Sequence, residues 1–321
     1  MKWSCGKRWT ATRKYRTLIG LLLKAKASLW KRRSAYSTSG AQRKSMAECF
    51  PRTTEIPGQS PLFWVTHKDR YLRQLLIRDI QDVTNRKLVV YFTDCDRTQA
   101  QIDQSDDVPI AELLSACSGQ PVDLLLETNG GATDATEKLC GLLRQAVTDL
   151  RVIVPRRAKS NGTVIALCGS TIIMGQQSEL GPIDPSIGPV PAEFVVNAPP
   201  GSFSPIDIQF AESARKQTRK LASILLSTGM MKGIASDQIE DTVERLATKN
   251  VYHSHGSSID ADEAIQLKLN VTKLNHDDPL WQKLWLLRMM YDHDCGTHRY
   301  AKLFEGATVS SAVSAAPPTK G

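Results

Sequence analysis

Between about residues 60 and 307 the chain alternates short apolar runs with stretches in which apolar residues recur every three or four positions. That alternation is the pattern of an α/β domain, in which buried strands feed helices that pack back onto them. Leu88-Val89-Val90-Tyr91-Phe92 predicts a buried strand, and 122–127 predicts a second whose end runs into Asn129-Gly130-Gly131. A helix should follow at once. Ala135, Leu139, Leu142, Leu143, Ala146, Val147 and Leu150 keep one face, and Asp134 with Glu137 three residues on resembles a capping box. Val152-Ile153-Val154 predicts a third strand, closed by Pro155. The logic then repeats: Lys159-Ser160-Asn161-Gly162 makes a tight turn, 163–168 begins an apolar helix, and 171–174 returns as a strand. Residues 180–205 are rich in Gly and Pro and predict loops or short strands, followed by amphipathic helices over about 208–228 and 236–247. The stretch 281–290 is apolar over most of its circumference, broken only by Gln282, Lys283 and Arg288, and predicts a largely buried or subunit-contact helix.

With 41% apolar and 23% charged residues, the 321-residue chain has the composition of a soluble globular protein with one large domain or two small ones. Its net charge of +8 changes meaning once it is divided along the chain. Residues 1–50 hold 13 Lys/Arg against the single acid Glu48, so the remainder is mildly acidic. A nucleic-acid groove needs its positive charge on the folded body, and that class is set aside. The basic segment carries one short apolar run at 18–23, too short for a bilayer that needs about 20 residues. A transit peptide, a basic helix on anionic lipid, a disordered tail, or translation starting at Met46 remain open for it. Residues 1–55 are accordingly expected to be a basic extension, disordered or targeting. The Ser/Ala/Pro-rich stretch 308–321 is expected to be a disordered tail. The seven cysteines are odd in number and scattered, without zinc or C-x-x-C spacing, which fits reduced thiols in a cytoplasmic protein.

The two turns that end buried strands and open helices are where chemistry should sit. Gly130 and Gly131 allow close backbone approach, and amides at a helix start can face developing negative charge. Ser160 occupies the second turn. Its hydroxyl needs a base to take its proton and preorganised N–H donors for the oxyanion that follows, and the Gly131 and Asn161 amides are the candidates. Each turn also has a plain alternative: a strand-to-helix connection for Gly130-Gly131, a helix-capping serine for Ser160.

The run Leu124-Leu125-Leu126-Glu127-Thr128-Asn129-Gly130-Gly131 is similar to the strand-plus-glycine motif of the Clp peptidases and signal peptide peptidase A. Val152-Ile153-Val154-Pro155, Ala158-Lys159-Ser160-Asn161-Gly162-Thr163 and Ser178-Glu179-Leu180-Gly181-Pro182-Ile183-Asp184-Pro185 resemble the serine dehydrogenase proteinase family within that superfamily. The resemblance continues through His255-Gly256 and Asp262-Glu263-Ala264, covering roughly 70–275. It implies a Clp/crotonase fold, a spiral of ββα units with a C-terminal helical region, over 56–307. It also implies a serine peptidase with Ser160 as nucleophile, Gly130, Gly131 and Asn161 around the oxyanion, no cofactor, a peptide substrate and a homo-oligomer. The family's usual proline before the glycine pair is Asn129 here, and its usual alanine after the serine is Asn161. Asp184 and His255 stand in each other's expected places, so the implied triad is Ser160–His255–Asp184, with roles set by geometry and not chain order.

A Ser–Lys dyad is the rival arrangement, with Lys216 or Lys220, one turn apart on a predicted helix, as base. Lys159 adjoins the serine, and its side chain should point elsewhere. His253 and His255 have no third ligand nearby except Asp260, so no metal is expected. The acids Asp94, Asp96, Asp103, Asp106 and Asp107 lack calcium-loop spacing and predict a solvated acidic loop. Two other functions stay open: a non-catalytic peptide-binding scaffold, and crotonase-type chemistry on an acyl-coenzyme A.

Overall fold

In the computed structural model, residues 60–97, 100–117 and 119–315 are described; the 1–55 extension lies outside them. The apolar runs become the strands of one twisted sheet. Strands β1 (Lys87–Thr93), β2 (Val122–Glu127), β3 (Leu150–Val154), β5 (Thr171–Met174) and β9 (Val271–Lys273) are parallel neighbours in that order. Two antiparallel strands, β10 (Tyr300–Glu305) and β11 (Ser310–Ser314), extend the β1 edge. The region from 308, expected as a tail, thus supplies an edge strand; 316–321 lie outside the described residues.

Alternation along each strand divides the core in two. Val89, Tyr91, Leu124, Leu126, Val152, Val154, Ile172 and Met174 face one layer of helices. That layer includes α3 (Asp107–Ser115), α4 (Thr133–Ala146), α5 (Asn161–Ala166), α7 (Pro205–Thr228) and α8 (Ser236–Ala247). Leu88, Val90, Phe92, Leu125, Ile153 and Ile173 face the other, built from α2 (Lys68–Thr84, preceded by α1 at Pro61–Thr66) and α10 (Pro279–His298). Helix α10 buries Trp281, Leu284, Leu287 and Tyr291 in that layer. Sequence periodicity had not separated α1, α2, α3 or the short α6 (Ala192–Val196) and α9 (Ala261–Gln266) from their surroundings. No helix among the described residues is long and apolar enough to cross a membrane.

Strands β1, β2, β3 and β5 are each followed by a short extended piece outside the main sheet before the next helix starts. These pieces form a second ladder: Ile102 with Gly131, Thr128 with Ala158, β4 (Arg157–Ala158) with β6 (Glu179–Leu180), and Leu180 with Ile259. A repeating long strand, short strand and helix is the expected spiral of ββα units. The remaining strands, β7 (Ser186–Ile187) and β8 (Val190–Pro191), form a small hairpin leading into α6.

Two expected local features are replaced by tertiary contacts. Helix α4 has no side-chain cap; Asp134 and Glu137 instead accept from Gln217 Nε2 on α7, at 2.9 and 3.0 Å. The acidic run 94–107 is only partly solvated. Asp106 is fully buried and receives Lys302 Nζ at 2.7 Å and Tyr91 Oη at 2.5 Å, while Asp103 takes the same ammonium at 2.5 Å. Burial pushes the Asp106 carboxyl above its usual range, although the Lys302 and Tyr91 hydrogen bonds pull it down. Replacing Lys302 by Met should therefore cost about 3–5 kcal/mol, because it leaves a buried carboxylate without its cation. Urea unfolding measures it, and the double variant with Asp106→Asn should recover most of the loss. A change under about 1 kcal/mol, the range of an exposed pair, would contradict this account.

Candidate active site

The first turn follows β2. Gly130 has φ +98° and Gly131 +157°, and the second ladder explains why both lack side chains. A Cβ on Gly131 would lie 2.3 Å from the Ile102 carbonyl oxygen, and one on Gly130 would lie 2.9 Å from both Lys159 O and Ser160 Cβ. Gly130 is thus in van der Waals contact with the serine turn, which fills the space a side chain would need. Ile102 N donates to Gly130 O and Ala132 N to Ile102 O, both at 2.9 Å, so the Gly131 N–H is left out of the ladder.

Ser160 occupies the N-cap position of α5 with φ 52° and ψ −122°, a conformation costly for a residue with a side chain. The capping alternative fails here, since its side chain makes no capping hydrogen bond. Instead the turn is tied by its neighbours. Gly162 N donates to Lys159 O at 2.7 Å, and Thr163 Oγ1 donates to Ala158 O at 2.7 Å, with Gly181 O 2.9 Å away. The Asn161 side chain joins the two turns: Nδ2 donates to Gly131 O at 2.6 Å and to Thr133 Oγ1 at 3.2 Å. Asn161 is therefore a structural stitch across the site, a role the sequence did not signal. Asn129 does similar work outside, donating to Cys95 O at 2.5 Å.

Asp184 and His255 meet. Nδ1 of His255 lies 3.0 Å from Asp184 Oδ1, with the carboxylate buried and the imidazole reaching the surface. One contact joins their segments to each other and a second ties them to the serine turn. Leu180 and Ile259 exchange backbone hydrogen bonds at 2.9 and 3.0 Å, and Lys159 Nζ donates to Ser257 O at 2.9 Å. Lys159 also pairs with Glu179 at 2.8 Å, so its ammonium points away from the serine, as expected. Burial pushes the Glu179 carboxyl up, but hydrogen bonds from Lys159 and Ser258 outweigh it and hold the group below its usual range. Ser160 and His255 share no direct hydrogen bond in this structure; Gly130–Ser160–Asn161 and Asp184–His255 form two separate sets of contacts, tied through the Lys159–Ser257 hydrogen bond.

The rival lysines sit elsewhere. Lys216 is 80% exposed and pairs with Glu212, and Lys220 is exposed on the same helix, neither in the desolvated setting a lysine base requires. His253 Nδ1 lies 3.0 Å from the Lys249 carbonyl oxygen, and His255 Nδ1 meets Asp184.

Residues 98–283 match the family of ClpP-like SDH-type serine proteinases. The chain belongs to that family. Among curated relatives, an uncharacterised protein of Methanocaldococcus jannaschii is 29% identical over 179 residues, 53% of this chain and 59% of the relative. A second uncharacterised protein of that organism is 38% identical over 78 residues, 24% of this chain and 27% of the relative. The chain thus spans well under two thirds of the length of either. Similar solved structures include ClpP1 from Listeria monocytogenes (14% identity, 62% of this chain, 98% of that one, TM-score 0.40). A membrane-bound stomatin-specific protease, solved as a mutant, is similar at 18% identity, covering 57% of this chain and 79% of that one, TM-score 0.39. The matched region contains both the glycine and serine turns together with Asp184 and His255.

Proposed function

We propose that the chain hydrolyses peptide bonds through an acyl-enzyme at Ser160. The observation that carries this reading is a serine at a helix start, in a strained conformation, whose hydroxyl caps nothing while its Cβ lies against Gly130. Strain of this kind persists where the surroundings enforce it, and an unemployed hydroxyl at such a corner is available to a substrate. Ser160 Oγ attacks the peptide carbonyl carbon, and His255 Nε2 takes its proton as the C–O bond forms. Asp184 accepts from Nδ1–H, which fixes the tautomer that leaves Nε2 free. The negative charge on the former carbonyl oxygen is received by the Gly131 and Asn161 N–H groups, each such donor worth about 3 kcal/mol of barrier. Protonated His255 then returns its proton to the leaving amine, and water repeats the sequence on the ester to free the serine. Substrate binding draws His255 onto Ser160, a tightening common to serine and histidine pairs whose hydrogen bond is loose when the site is empty.

The substrate is a peptide or an unfolded protein segment, and assembly of several copies belongs to the same reading. Exposed Phe194, Ile206 and Phe210 supply apolar surface for it. The test is labelling of the intact chain with a fluorophosphonate, followed by mapping of the modified peptide. Modification at Ser160 is expected. A wild-type protein that folds and binds peptide but carries no label would instead be a binding scaffold, the reading favoured by the open Ser160–His255 pair.

A further inference from the structure

Asp184 has a second partner that a serine triad does not require. The Lys249 ammonium lies 2.7 Å from Asp184 Oδ2, on the opposite oxygen from the one that meets His255. The Lys249 and Asp184 side chains are only 5% and 3% exposed, so the ion pair sits in the interior behind an imidazole that is 39% exposed. The contact departs from hydrogen-bond directionality, and neither atom has another hydrogen-bond partner, so it acts through charge. The lysine backbone is held on both sides. Its N–H donates to Glu193 Oε2 at 3.1 Å, Glu193 faces Arg215 at 3.9 Å, and its carbonyl meets His253 Nδ1 at 3.0 Å. Ile183 N donates to Leu246 O at 2.9 Å and keeps the Asp184 segment beside the same helix end.

We propose that Lys249 is a positioning residue of the site: its ammonium pins the Asp184 carboxylate against His255 and offsets that carboxylate's charge, so that the ring is held ready to take the Ser160 proton. This rests on the Ser160–His255–Asp184 reading. A buried carboxylate beside an imidazole favours the protonated ring, which cannot act as a base. An ammonium on the far oxygen weakens that pull while leaving Oδ1 to orient Nδ1, and with both oxygens engaged the carboxylate is not free to rotate. The other charges packed around the pair are committed elsewhere. Lys159 and Arg157 face Glu179, Arg215 faces Glu193, Glu263 accepts from Tyr252 Oη, and Asp260 caps α9. Among the described residues, His255 and Lys249 are the groups in contact with the Asp184 carboxylate.

The experiment compares wild type, Lys249→Met and Lys249→Arg in the full chain. Titration of His255 is followed by its Cε1–H resonance, and the fluorophosphonate labelling rate is followed against pH. In Lys249→Met the His255 midpoint should rise by about one pH unit, a tenfold gain in proton affinity. Labelling at neutral pH should fall about threefold, the loss of unprotonated ring that a one-unit rise from the ordinary imidazole range produces, and recover as pH is raised, with Lys249→Arg close to wild type. In an Asp184→Asn background, where burial without a counter-charge disfavours the ammonium, the same Met substitution should move the His255 midpoint less; this second comparison also serves if Lys249→Met alone does not fold. An unmoved midpoint in folded Lys249→Met, or an equal shift in the Asp184→Asn background, overturns the proposal. So does loss of labelling at every pH without rescue by arginine, which would make the lysine itself the base. Wild type that never labels at Ser160 sinks the triad but leaves the His255 titration shift standing, so the two failures are distinguishable.

Discussion

Ser160→Ala should lower peptide turnover by four to six orders of magnitude, roughly the range for removing the nucleophile of a serine–histidine pair. Stability should hardly change. The hydroxyl makes no hydrogen bond in the resting structure, so its removal leaves no buried partner unsatisfied. The positive φ of residue 160 burdens serine and alanine alike. What remains after the substitution is the proposed anion cradle of Gly131 and Asn161, which would assist attack by water at a small fraction of the original rate. Turnover and a thermal melt on the same preparation separate the two effects. Turnover within tenfold of wild type, from protein that melts normally, would remove the serine from the mechanism. A large loss of stability would mean instead that the hydroxyl has a structural role that the geometry at the α5 terminus does not display.

The core and the first half of the site were legible because each rests on a local pattern. Leu88, Val90 and Phe92 alternate with Val89 and Tyr91, and that period alone assigns them to opposite helical layers. The glycine pair and the serine turn were legible because the backbone demands of a close approach restrict the residues that can stand there. The C-terminal edge was not. Tyr300–Glu305 carries Lys302 and Glu305 in its interior, so its hydrophobic signal is broken, although both charges are buried and paired. Ser310–Ser314 is small and polar, as an exposed edge strand tolerates, and reads as a tail. Lys249 was missed for a related reason. Between Thr248 and Asn250 it looks like a surface lysine, and its partner Asp184 lies in a distant loop, where no periodicity connects them. The acidic run was misread in the same direction, because a carboxylate such as Asp106 is assigned to solvent unless the cation that neutralises it is known. Sequence patterns thus report apolar burial and backbone constraint well, and buried charge poorly. In this protein buried charge is what connects Asp184 to Lys249.

Asp184→Asn puts that connection to the strongest test. The amide presents an N–H or an oxygen to His255 Nδ1 in place of two acceptor oxygens. Lys249 competes for the amide oxygen, since an ammonium can only donate. The NH₂ then faces Nδ1, which must accept, and the ring proton moves to Nε2, where it blocks removal of the serine proton. A loss of about four orders of magnitude in kcat is expected for this wrong-tautomer state, with KM nearly unchanged. The variant also leaves Lys249 buried without a counter-charge, a cost of about 3–5 kcal/mol in stability. Adding Lys249→Met should restore stability and free the amide to rotate its oxygen toward His255 Nδ1–H, recovering part of the lost kcat. Recovery of stability without any recovery of rate would show that the carboxylate charge, and not merely ring orientation, drives the proton transfer. A kcat within tenfold of wild type in Asp184→Asn would show that His255 does not depend on Asp184, and the base would then have to be sought among other groups that can reach the serine.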